Sequence, residues 1–218
     1  MCNRFFAERF PPGIRTPIEG KGMESIPATR ASLLMRIRDR GDADAWRQFV
    51  QLYAPVVYAY ARRRQIQDAD AADLTQEVLR SVSKSIARLE YDARYGSFRG
   101  WLFTVTRNKL VDFQRRKSIG QAVGGSSIQD VLNRQPAAEE QDFWDQEFRR
   151  QVFAVAAEQV KPEFEEATWQ AFWQTAVEGR KPNDVAGGLG MSVGAVYIAK
   201  SRVQARLKER VRELAADA

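Results

Sequence analysis

Histidine is absent from the 218 residues, and Cys2 is the only cysteine. These absences remove disulfides, Cys/His zinc sites and every histidine-based triad, so hydrolytic enzymes lose most of their usual parts. Cys2 itself sits in a poor N-terminal context and is read as inert. No apolar run approaches the roughly 18 residues of a membrane span. The N-terminus, interrupted by proline, has no signal-peptide core. The chain is therefore expected in the cytoplasm, without membrane, metal or cofactor and without an enzymatic centre of its own. Glycine and proline are also few, 14 and 8, which leaves long stretches free to be helical.

What is present fits a soluble globular protein with a real core: 44% hydrophobic and 28% charged residues. The net charge of +6 favours a polyanionic partner, although net charge describes association rather than fold. Its placement says more. Arg115, Arg116 and Lys117 form one basic zone, and Lys200, Arg202, Arg206, Lys208, Arg210 and Arg212 form another. Glu139, Glu140, Asp142, Asp145 and Glu147 lie between them. Two basic zones separated by an acidic stretch suit two contacts with one long anion.

The period of the apolar residues predicts an all-α chain of two helical domains joined by a flexible linker. Residues 1–28 hold Pro11, Pro12, Pro17 and Pro27 with no sustained period, and read as a disordered leader in which Met23 is a second candidate start. The first domain is expected over 29–117, the linker over 118–140 and the second domain over 141–218. Asp42 or Asp44 can cap a helix whose face is Trp46, Phe49, Val50, Tyr53, Val57 and Tyr60, with Pro55 expected to kink or divide it. The next helix is expected from about Asp70 to Leu89, burying Leu74, Val78, Val82, Ile86 and Leu89. In the linker, GQAVGGSS has the spacing of a phosphate loop but lacks its lysine and its preceding strand, so no nucleotide site is inferred. Helical spacing resumes near Asp142 with Phe143, Phe148, Val152 and Val155, and another helix is expected over Glu163–Val177.

Two segments carry the chemistry. In FRGWLFTVTRNKLVDFQRRK, at about 100° per residue, Phe98, Leu102, Thr106, Leu110 and Phe113 form a core stripe. Trp101, Thr104, Asn108, Asp112 and Arg115 share another face, with Arg107 close by. A ring, hydrogen-bonding groups and cations in one row suit unstacked bases beside phosphates, where an ordinary helix needs only the first stripe. In the second segment Pro182 opens a short helix, Gly190 breaks it, and Ser192 caps a new helix that buries Val196, Ala199, Val203 and Leu207. Its outer face is Ala195, Tyr197, Ile198, Ser201, Arg202 and Ala205. Helix, tight glycine turn and helix at this length is the helix-turn-helix arrangement.

Four stretches in order, AWRQFVQLYAPVVYAYARR, DAADLTQEVL, FRGWLFTVTRNKLVDFQRRK and DVAGGLGMSVGAVYIAKSRVQARL, resemble sigma-70 family RNA polymerase sigma factors of the extracytoplasmic-function class. The resemblance runs from about Ala31 to Leu214. It implies a sigma2-like domain followed by a sigma4-like helix-turn-helix, and a transcription initiation factor that binds core RNA polymerase and promoter DNA. It leaves open an anti-sigma factor as a further partner. By resemblance, Asp70, Asp73, Gln76 and Glu77 dock on the polymerase, on an acidic ridge opposite Leu74 and Val78. Tyr91, Trp101, Arg107, Asn108, Arg115, Arg116 and Lys117 are placed on the minus-10 strand, and Ser192, Ala195, Tyr197, Ile198, Ser201 and Arg202 on the minus-35 duplex. The chain departs from the family where a Thr-Val-Lys-Ser-Arg run is common, reading Ala195, Val196, Tyr197, Ile198, Ala199. A free-standing helix-turn-helix regulator with an N-terminal dimerisation or effector domain is the alternative. A helical adaptor without DNA leaves both basic zones idle.

Overall fold

The computed structural model describes residues 31–39, 41–86, 97–119 and 138–215, and all of its regular structure there is helical. The leader, Leu89, Tyr91 and most of the expected linker lie outside the described residues. The elements are α1 (Ala31–Arg36), α2 (Ala43–Arg63), α3 (Asp68–Ser85), α4 (Phe98–Ile119), α5 (Ala138–Val160), α6 (Glu166–Phe172), α7 (Pro182–Leu189) and α8 (Val193–Ala215). They divide into two compact units, one running to Phe148 and the other from Arg149 onward, so the division falls inside α5.

In the first unit, Asp42 rather than Asp44 caps α2, its carboxylate accepting from the Ala45 N–H at 2.9 Å while Arg36 clamps it at 2.7 and 3.0 Å. Helix α2 runs through Pro55 without a break, so of the expected kink or division the division does not occur. The ring costs one backbone hydrogen bond, but Leu52, Tyr53, Val56 and Val57 are buried on either side of it, and packing on both flanks holds the turn. Helix α3 buries Leu74, Val78 and Val82, and Ile86 is buried just beyond its end. Ser97 opens α4, its hydroxyl accepting from the Gly100 N–H at 3.1 Å.

Aromatic rings join these helices. Phe98 meets Phe49 and Tyr53 edge-on at 5.9 and 5.8 Å. Tyr60 meets Phe103 at 5.3 Å and Trp144 at 5.9 Å, Phe103 lies 5.3 Å from Trp144, and Tyr53 stacks on Phe148 at 5.2 Å. The start of α5 thus completes the core of the first unit, although the sequence placed the domain end at Lys117. Phe103, absent from the expected stripe, is buried for this reason, and Phe113, expected in the core, is half-buried.

In the second unit the helix expected over Glu163–Val177 starts at Glu166 and passes from α to π at Trp173. A 3₁₀ turn at Lys161–Glu163 precedes α6, and a π turn at Trp173–Val177 follows it. Pro162 stops α5 from continuing, and Phe164 and Glu165 are extended. Trp169 and Phe172 are buried, and Val185, Val196, Ala199, Val203 and Leu207 close the core from α7 and α8.

Two stability tests follow from this packing. Trp144→Ala in the full chain is expected to destabilise the first unit by about 3–5 kcal/mol, read by denaturant titration; a loss under about 1 kcal/mol would show that α5 is not part of that core. Gly190 has φ +64°, whereas a Cβ at Gly187 would meet open space. Gly190→Ala should therefore cost about 1–2 kcal/mol, while Gly187→Ala should gain about 0.5–1 kcal/mol. Thermal melting that moves both variants in the same direction would contradict the turn assignment.

Candidate nucleic-acid interface

Helix α4 carries the first candidate surface. Going round the helix at about 100° per residue, Phe98, Leu102, Thr106, Arg99, Leu110 and Phe103 occupy one arc of about 140°, and all are buried. Arg99 is held there by Asp145 at 3.5 Å and lies over the Phe148 ring. The opposite arc holds Thr104, Asn108, Asp112 and Arg115, all exposed, with Trp101 half-buried against Phe98 at 5.4 Å. The row inferred from the sequence is therefore a real face: a ring resting on the core, then an amide and a guanidinium in solvent.

Arg107 stands at the edge between the two arcs, half-buried beside Glu140. Burial works against the Glu140 carboxylate, but the hydrogen bonds from Arg64 and Tyr60 outweigh it and hold Glu140 below the usual carboxylate range. The Tyr60 hydroxyl donates to Glu140 at 3.0 Å, and burial lifts its own pKa above the ordinary phenol range.

Arg116 and Lys117 are exposed but do not belong to the strand row, and both are paired. One further turn along α4, they fall on the continuation of the buried arc, past the point where the core ends. Arg116 there donates to both oxygens of Glu77 at 3.2 and 3.1 Å, and Lys117 to Asp70 at 3.0 Å. Two groups expected to touch DNA are thus paired with two expected to touch the polymerase. The sequence hid this because the partners stand 39 and 47 residues apart. Of the remaining ridge residues, Gln76 accepts from Arg80 at 2.9 Å, and Asp73 is exposed with no ion pair among the described residues.

The second surface is α7, its turn and α8. Gly190, left-handed, ends α7, and the Met191 N–H returns to the Ala186 carbonyl at 2.9 Å. The Ser192 hydroxyl then accepts from the Ala195 N–H at 3.1 Å and starts α8, as its sequence position suggests. Ser192, Tyr197, Ile198, Ser201 and Arg202 are exposed and Ala195 is half-buried. The basic zone is smaller than its composition implies. Arg206 is clamped by Glu163 at 2.5 and 2.8 Å and by Glu209, which hold its proton more tightly than usual. Arg210 pairs with Gln159 and Glu213. Arg202, Lys208 and Arg212 remain exposed on α8 without an ion pair among the described residues. None of the described helices is long and apolar enough to cross a membrane.

Residues 49–119 match the family model for sigma-70 region 2, a span that takes in most of α2 and all of α3 and α4. The chain is 28% identical over 174 residues to the ECF RNA polymerase sigma factor SigE of Mycolicibacterium smegmatis, covering 78% of this chain and 63% of that protein. It is 32% identical over 85 residues to a probable RNA polymerase sigma factor of Haemophilus influenzae, covering 38% and 41% respectively. The match thus spans less than two thirds of the length of either relative, 63% of one and 41% of the other. Residues 49–119 thus carry the sigma-70 region 2 pattern, and over most of its length the chain is similar to RNA polymerase sigma factors, one of them of the ECF class.

Proposed function

We propose that the protein is a cytoplasmic transcription initiation factor that directs core RNA polymerase to a subset of promoters and nucleates melting at the minus-10 element. The observation that carries this reading is the order of parts: a sigma-70 region 2 match over 49–119 is followed by a capped helix-turn-helix with an exposed outer face. Catalysis belongs to the polymerase. The sigma2-like role falls to the unit ending at Phe148 and the sigma4-like role to the unit from Arg149, which reads the minus-35 duplex. A free-standing helix-turn-helix regulator is not favoured, because it has no use for region 2. Run-off transcription with purified core polymerase tests the whole reading, and core enzyme that starts no better with the protein than without it would overturn it.

The residue roles follow from exposure. Melting costs about 1.4 kcal/mol per base-pair step, so the open strand must be bound better than the duplex. Trp101 supplies the stacking surface, with Asn108 and Arg115 beside it. Asp73 and Gln76 offer the exposed part of the ridge to the polymerase. Asp70 and Glu77 already hold Lys117 and Arg116, so a basic surface arriving there displaces two cations toward the DNA. Exposed pairs of this kind are worth about 0.2–1 kcal/mol each, a barrier that docking can overcome.

Asp73→Lys is the cleanest test of the ridge, since it breaks no ion pair of its own. Affinity for core polymerase should fall by about tenfold or more, with the melting temperature unchanged. Unaltered affinity would remove Asp73 from the interface.

Trp101→Ala should cost about 1–3 kcal/mol of single-strand stabilisation, one to two powers of ten in promoter opening. The variant holoenzyme should transcribe poorly from duplex promoters and recover on a template with a pre-melted minus-10 bubble. A comparable fall in chain stability, with no rescue by the bubble, would return Trp101 to the core.

A further inference from the structure

Four large hydrophobic side chains are exposed among the described residues, and three of them, Val193 at 36%, Tyr197 at 57% and Ile198 at 62%, lie in the first two turns of α8. Nothing in the fold requires them to be there. The core side of the same turns is already filled by Val196 and Ala199, and the turn before them is held by backbone hydrogen bonds and the Ser192 cap. Going round α8, Tyr197, Ser201, Ala205 and Ile198 share the outward arc with Gly194, while the cations on that arc, Lys208 and Arg212, come only two to four turns later. The face is therefore graded, apolar and small at its leading end and cationic at its trailing end.

A helix that enters the major groove by its N-terminal end presents that end to base edges and its later turns to phosphates. Charged or amide side chains at the leading end would read guanine or adenine through paired hydrogen bonds. Here there are none before Lys200, which is half-buried. The one apolar group exposed on a major-groove edge is the 5-methyl of thymine. Small residues at Gly194 and Ala195 let the helix approach closely enough for Tyr197 and Ile198 to touch it. We propose that the minus-35 duplex is read chiefly through thymine methyl groups packed against Ile198 and Tyr197, with Arg202, Lys208 and Arg212 fixing the helix on the phosphates. The occupant follows from charge complementarity: a protein partner of this apolar tip would leave the unpaired cations behind it unmatched.

This inference rests on the proposed initiation role, and the test separates the two. Holoenzyme formed from the full chain and core polymerase is used to select promoters from a duplex library randomised over the minus-35 region. Each selected thymine is then replaced by deoxyuridine, which removes the methyl and keeps every hydrogen bond. Loss of about fourfold in binding for each contacted methyl is expected, the worth of one buried carbon. In the Ile198→Ala holoenzyme the thymine-to-uracil ratio should fall toward one at one of those positions. Both side chains are exposed, so the fold should survive truncation. Promoters selected without any uracil sensitivity would overturn the methyl readout while leaving the initiation role intact. A library from which the holoenzyme selects nothing would overturn both.

Discussion

The constraint on which the first unit depends is the double demand on α4, which must bury a wide arc between α2 and α5 and still leave the opposite arc open. Ring contacts meet the first demand. Phe98 packs on Phe49 and Tyr53, and Phe103 packs on Tyr60 and Trp144, so the two rings anchor both margins of the buried arc. A helix held on both margins cannot roll, and its third side keeps one orientation. Under the proposed function the row of Trp101, Asn108 and Arg115 gains from that fixed orientation, because stacking a base favours a ring whose plane is already set.

Electrostatics then decides which cations are available. From the sequence, three consecutive basic residues at the end of α4 look equivalent. Helical geometry separates them: Arg115 falls on the open arc, whereas Arg116 and Lys117 fall where the buried arc would continue and meet Glu77 and Asp70. The same separation occurs on α8, where Arg206 and Arg210 are held by Glu163, Glu209 and Glu213 and tie that helix to its own unit. Four of the cations that make the chain basic are thus engaged inside it. Net charge is a poor measure of the contacts a polyanion would find, since exposed ion pairs of about 0.2–1 kcal/mol barely stabilise the fold yet occupy the side chains.

What was legible in the sequence was local. The Ser192 cap, the left-handed Gly190 and the inward row Val196, Ala199, Val203 and Leu207 are each set by residues within a few turns of one another, so a short helix, a tight turn and a long helix appear where they were expected. The ridge of Asp70, Asp73 and Glu77 is likewise a matter of helical period. What was not legible depends on distant partners. Nothing in the spacing of α4 reveals that Phe103 is covered, because its cover, Trp144, comes more than forty residues later. Proline chemistry taken alone also misjudged Pro55, where packing on both flanks outweighs one missing hydrogen bond, and the helix expected from Glu163 begins only at Glu166, because Phe164 and Glu165 are extended.

The two candidate surfaces differ in a way that matches the two states of DNA each would meet. On α4 the aromatic side chain lies half-buried against another ring, so its exposed part is a fixed flat surface, and flat surfaces bind bases by stacking with little regard to their edges. On α8 Tyr197 and Ile198 stand free of the core and project from the helix, a shape that can reach an edge in a groove, and no second ring backs Tyr197 among the described residues. A duplex hides the faces of its bases, and a single strand has no groove. Under the proposed function, the depth to which each aromatic side chain is embedded in its own unit therefore suits the α4 surface to the open strand and the α8 surface to the duplex.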